Sequence, residues 1–132
     1  KDDLIGVVLT HAHEDHIGAV PYFAADLGVP LYATPFTARL VAEKLDEAGI
    51  ADEVELNVID HLDRFELGAF GIRYVPLAHS IAEGNALVIE TPYGRIFHTG
   101  DKVELSWRPE YAFLLDAAQD AFAGAQRVDS DG

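Results

Sequence analysis

Four side chains able to hold a metal ion, His11, His13, Asp15 and His16, fall within six positions in the stretch Thr10-His11-Ala12-His13-Glu14-Asp15-His16. His11 and His13, two apart in an extended segment, can turn to one side and share a cation. Asp15 and His16 lie past the bend and can face a second cation beside the first. Neutral imidazole together with carboxylate suits zinc, with manganese as the alternative. The chain contains no cysteine, so thiolate ligands and disulfides are excluded. So dense a cluster has little use as packing or as a solvated face.

The elements that must position these residues follow from hydrophobic periodicity. Residues 4–9 form a short apolar run rich in β-branched side chains, a buried strand that delivers the cluster, on a loop, to a sheet edge. Residues 17–27 read as one helix with Ile17, Val20, Phe23, Ala24 and Leu27 on a stripe, Pro21 in its first turn, and Gly28 and Pro30 as its stop. Residues 31–33 are a short strand. Thr34 and Pro35 open a second helix over 36–48, which ends at Gly49. Val54, Leu56 and Val58 then alternate with polar residues as a strand, and further strands are predicted at 65–67, 70–77, 86–91 and 95–98. Residues 110–125 place Tyr111, Leu114, Leu115, Ala118 and Phe122 on one helical face, and 129–132 read as a frayed tail. The expected fold class is α/β (α+β), a mixed sheet with flanking helices packed outside.

Two more ligand candidates stand at predicted strand ends, His79 after residues 70–77 and Asp101 after 95–98. His98 is three residues before Asp101 and suits a supporting role, because ligand carboxylates need hydrogen-bond partners. Ser80 and Glu83 are candidates to line the pocket, with loop capping equally open to Ser80. His61, in a polar turn, reads as a surface histidine.

At 132 residues and 49% hydrophobic, the chain is long enough for one domain with a core of its own. No apolar stretch reaches the length of a membrane span and no signal pattern opens the chain, so the cytoplasm is the expected location. No Met occurs, and Lys1 comes first, which gives the expectation of an excerpt from a longer protein or a processed piece. The net charge of −14, from 9 basic against 23 acidic residues, disfavours a nucleic-acid grip on this segment, since phosphate contacts need a basic surface. A bound cation offsets part of that charge locally.

His11-Ala12-His13-Glu14-Asp15-His16 resembles the His-x-His-x-Asp-His signature of the metallo-β-lactamase fold, whose members are mostly metal-dependent hydrolases. The flanks Ile17-Gly18 and Pro21-Tyr22, with His79-Ser80-Ile81-Ala82-Glu83, His98-Thr99-Gly100-Asp101, Ala33-Thr34-Pro35-Phe36-Thr37 and the stretch from Asn85 to Pro92, are similar to the RNase J branch of the β-CASP ribonucleases. The resemblance implies a partial αββα sandwich. It also implies two zinc ions in a complete site: His11, His13 and His79 on the first, Asp15 and His16 on the second, and the Asp101 carboxylate bridging both. Asp15 is then the catalytic residue, orienting the attacking water or shuttling its proton. The implied reaction is hydrolysis of an RNA substrate in the full-length protein, with endonuclease and 5′-exonuclease modes both open.

The resemblance spans about residues 4–101, so the expected organisation is a partial metallo-β-lactamase domain over 1–101 and a helical tail over 102–132 that does not match the family. After Asp101 comes Lys102-Val103-Glu104 in place of the family's aromatic residue and Lys. No His follows His98 to supply the usual last ligand. The opening strands, the β-CASP insertion and its phosphate-gripping motifs are missing too. The rival readings are another hydrolase of the same fold (thioester, lactone or tRNA-processing) and a fragment that holds metal without turnover. A homo-oligomer stays open.

Overall fold

The computed structural model describes residues 3–78, 81–99, 112–115 and 126–127. Among the described residues two sheets stack, with three α-helices packed on the smaller one. The smaller has strands β1 (Val7–Val8), β2 (Leu31–Ala33) and β3 (Leu56–Val58), all parallel, in the order β1-β2-β3. Parallel neighbours need crossovers. The first is made by α1 (Glu14–Ile17) and α2 (Val20–Leu27), the second by α3 (Pro35–Glu47) and a 3-10 turn at Ala51–Glu53.

The larger sheet runs β4 (Arg64–Leu67), β5 (Phe70–Pro76), β6 (Asn85–Thr91), β7 (Gly94–His98), β8 (Ala112–Leu115) and β9 (Gln126–Arg127), in chain order. It is antiparallel except where β8 joins β7 in parallel. The fold is therefore mixed α/β, as its sequence implies.

The apolar side chains sort into two layers. Ile17, Val20 and Ala24 from α1 and α2, and Ala38, Val41 and Leu45 from α3, pack on Leu31 and Ala33 of the small sheet. The second layer lies between the sheets: Ile72, Tyr74 and Leu87 of the large sheet meet Val8, Ile59, Phe65, Leu67 and Ile89. β1 and β2 thus have a covered face on each side, which is why their sequences are apolar without alternation. Tyr32 stacks on Phe65 at 4.8 Å between ring centroids, joining the two sheets face to face.

Several expectations change. The single helix over 17–27 is broken at Gly18-Ala19 into α1 and α2. Pro21 has no N–H to give the Ile17 carbonyl, so the helix must restart with the proline in its first turn, where none is needed. Gly28 ends α2 at φ 63°, the left-handed position that suits glycine. Val54 lies ahead of β3 rather than in it, and Val58 is 57% exposed because β3 is the outer strand of its sheet. The helix expected over 110–125 is corrected at Ala112–Leu115, which pair with Arg95–His98 as a strand. A run of four apolar residues has no periodicity of its own, and the open edge of β7 decides it. The tail at 129–132 lies outside the described residues.

Candidate metal centre

β1 ends at Val8, and the chain passes through Leu9, Thr10, His11 and Ala12, all buried. Two hydrogen bonds from the large sheet fix this passage, and a third ties the Tyr74 side chain to β2. Tyr74 of β5, fully buried, donates its hydroxyl to the Leu9 carbonyl at 2.8 Å and to the Tyr32 carbonyl at 3.1 Å. Asn85, first residue of β6, donates its side-chain Nδ2 to the Thr10 carbonyl at 3.1 Å. Leu9 is held from both sheets, and Thr10, the residue before the first histidine, from the large one.

His13 then acts as the N-cap of α1, with Glu14, Asp15, His16 and Ile17 forming one helical turn. The loop expected for the whole cluster is thus a loop only to His13. Asp15 and His16 ride on helix instead, with the Ile17 amide bonded to the His13 carbonyl at 3.0 Å. Gly18 closes this turn. A Cβ on Gly18 would lie 2.5 Å from the Glu14 carbonyl oxygen, so no larger residue fits without moving the turn. The Glu14 carboxylate reaches Lys44 of α3 at 3.0 Å and ties the turn to the helix layer.

The turn gathers three imidazoles. His11 is 1% exposed, and its ring centroid lies 4.9 Å from that of His13 and 4.0 Å from that of His16. Nε2 of His11 faces Nδ1 of His13 at 3.2 Å. On the other side of the His11 ring, Nδ1 meets the Thr10 hydroxyl at 2.8 Å. Asp15 sits beside His16, with Oδ2 3.5 Å from Nε2, and its side chain is 77% exposed. His98, on β7 opposite Leu87, is half-buried. His79, Ser80 and Asp101 lie outside the described residues. Among the described residues no three His, Asp or Glu side chains converge as a ready ligand set.

The donor chemistry nonetheless suits a divalent metal. With Nδ1 of His11 engaged by Thr10, Nε2 is the nitrogen turned toward the other histidines. A ligating imidazole is commonly held in this way by a partner on its second nitrogen.

Glu83 stands apart from the histidines. Its Oε2 accepts the Phe36 amide of α3 at 2.7 Å and its Oε1 lies 3.0 Å from Nε2 of His61. Burial pushes this carboxyl up, but the Phe36 amide, His61 and the Thr34 hydroxyl outweigh it and hold it below the usual carboxylate range. His61, read as a surface residue, has its side chain 38% exposed and spends it on Glu83. Sequence spacing marked neither Tyr74 nor Thr10, and Asn85 stood out only inside a family-like phrase. Their roles depend on partners 65 and 75 residues away along the chain.

The fold and the histidine cluster define a class, and comparison with known families agrees. A model of the beta-lactamase superfamily domain matches residues 1–130, and the chain belongs to that superfamily. The match includes 102–130, the stretch set apart in the sequence reading. The superfamily implies binding of a divalent metal. More particularly, the chain is 41% identical over 102 residues to a ribonuclease J of Helicobacter pylori, covering 76% of this chain and 15% of that protein. It is 40% identical over 129 residues to a ribonuclease J of Sinorhizobium meliloti, covering 97% of this chain and 22% of that protein. The chain therefore spans about a fifth or less of these relatives. Among solved structures, the metallo-beta-lactamase fold protein YhfI of Bacillus subtilis superposes with a TM-score of 0.61 at 20% identity, over 80% of this chain and 44% of that one. Zn(2+)-bound PqqB of Methylobacterium extorquens gives 0.62 at 19% identity, over 77% and 36%. These two share the fold.

Proposed function

We propose that the protein containing this chain hydrolyses RNA phosphodiester bonds with the help of divalent metal, as an endonuclease, a 5′-exonuclease or both, in the cytoplasm. The observation that carries this reading is three contacting histidine rings at the end of a buried strand, in a chain 40–41% identical to ribonucleases J. In this proposal His11, His13 and His79 hold one cation, Asp15 and His16 a second, and Asp101 bridges them. Zinc is the preferred ion, with manganese as the alternative. Such a pair would supply an activated water and charge neutralisation for displacement at phosphorus.

The chain's own residues do the rest. His11 presents Nε2 because Thr10 engages Nδ1. Asp15 orients the attacking water or takes its proton, and its exposure supports this by leaving the carboxylate open to substrate. His98 and Ser80 support the ligands, while Glu83 holds the loop end against α3. With a net charge of −14, this segment is a poor grip for RNA, so the basic surface belongs to the rest of the protein. The test is zinc and manganese titration of the full-length protein, paired with cleavage of 5′-monophosphorylated RNA, a thioester and a β-lactam. Metal-dependent cleavage of the RNA alone is expected. Turnover of the thioester or β-lactam with intact RNA would overturn the substrate assignment.

A further inference from the structure

We infer that Asn85 is a positioning residue for the metal centre, acting through the Thr10 carbonyl on the orientation of the His11 ring. The inference rests on the metal-dependent reading above and deepens it.

Asn85 is 1% exposed. Its Nδ2 lies 2.6 Å from the Glu83 carbonyl, 3.1 Å from the Thr10 carbonyl and 3.3 Å from the Thr34 hydroxyl. Two of these oxygens are carbonyls and can only accept, so the atom facing them must be the amide nitrogen. Its two hydrogens serve three oxygens, one of them shared. The other end of the carboxamide, Oδ1, is buried with no hydrogen-bond partner among the described residues. A buried acceptor without a partner is costly, so the contacts of Asn85 are those of its Nδ2 end.

The three oxygens belong to three segments that Asn85 draws together. Thr10 precedes His11. Thr34 is the N-cap of α3. Glu83 precedes Gly84, whose carbonyl accepts the Leu77 amide at 2.8 Å. Fixing the Thr10 carbonyl fixes the Thr10 backbone, and with it the hydroxyl that meets Nδ1 of His11 at 2.8 Å. A metal at Nε2 needs the Nδ1–H tautomer, in which Nδ1 donates a hydrogen bond to the Thr10 hydroxyl oxygen 2.8 Å away. Without Asn85 the Thr10 hydroxyl loses its fixed place, and the imidazole its preferred tautomer.

The experiment measures zinc affinity of the full-length protein by competition with a chelator, together with the ring ¹⁵N spectrum of His11 in the metal-free state. Four forms are compared: unsubstituted, Asn85→Ala, Thr10→Val and the double variant. Asn85→Ala should weaken zinc about 10-fold, the lower end for residues supporting a ligand, and should shift His11 from one tautomer to a mixture. In the Thr10→Val background the same change should cost far less, because both substitutions act on one bond. Additive losses, or unchanged affinity and tautomer in folded Asn85→Ala, would overturn the inference while leaving the metal site standing. An unsubstituted protein that takes up no zinc or manganese would overturn the proposed function and this inference with it. Should Asn85→Ala fail to fold, Asn85→Ser keeps a hydroxyl donor and is measured in its place. Loss of the fold in both would show a residue of the fold alone and would also overturn the inference.

Discussion

The hydroxyl of Tyr74 donates to the carbonyl of Leu9 at 2.8 Å, so a side chain of the large sheet holds the small-sheet strand two residues ahead of its first histidine. The same oxygen lies 3.1 Å from the Tyr32 carbonyl, which also takes the Leu9 amide at 2.9 Å. One phenol thereby ties β5 to both β1 and β2.

Burial raises the Tyr74 hydroxyl above the ordinary tyrosine range. A group whose ionisation is disfavoured in the folded state stabilises it below the ordinary value of about 10, and that contribution fades as pH rises further. Tyr74→Phe should cost about 1–3 kcal/mol near neutrality, through the buried Leu9 carbonyl that loses this donor. Melting temperatures of the two proteins should converge above about pH 10. A gap that stays constant to pH 11 would show that Tyr74 does not ionise with unfolding.

Glu83 titrates in the opposite sense. Its depressed value adds stability above the ordinary carboxylate range, about 4.3, and that contribution is lost as pH falls through its lower folded value. Glu83→Gln should therefore melt below the unsubstituted protein at pH 6 and draw level with it toward pH 3. Equal melting at every pH would mean that the Phe36 and His61 contacts contribute nothing.

His11→Ala with His13→Ala removes two proposed ligands of one cation. Zinc measured by elemental analysis of the full-length protein should fall by at least one equivalent, with the far-ultraviolet circular dichroism unchanged. Full metal content in that double variant would remove these residues from the site.

Asp101→Asn nearly keeps the shape of the side chain and removes its charge. As the proposed bridge it serves both cations and the attacking water, so turnover of RNA should drop by about two orders of magnitude or more. The melting temperature should stay within a few degrees. Near-normal turnover would show that Asp101 does not bridge.

Much of the frame could be read from local signals. Pro35 and Gly49 bracket α3, Gly28 stops α2, and the turns at Gly68 and Gly94 separate strands where the sequence places them. The histidine cluster was legible because its spacing is compact, three imidazoles within one short stretch. What stayed hidden depends on distant partners. Nothing near Tyr74 says that its hydroxyl meets Leu9, and nothing near Asn85 says that it faces Thr10. The break between α1 and α2 was readable in principle from Pro21, yet the apolar stripe running across it masked the gap. The strand at Ala112–Leu115 depends on an edge that only β7 supplies.

The bonds from Tyr74 and Asn85 also set an order of events in time. His11, His13 and His16 are made before the groups that hold their approach, since Tyr74 and Asn85 come 65 and 75 positions after their partners Leu9 and Thr10. Closing loops of that length precedes any reward from the contacts they bring together, which slows folding. A chain leaving the ribosome would therefore carry its histidines exposed and loosely arranged until β5 and β6 had emerged and paired. Tight metal uptake would then mark the moment when the two sheets have closed on each other, and zinc binding during refolding should lag behind formation of the helices.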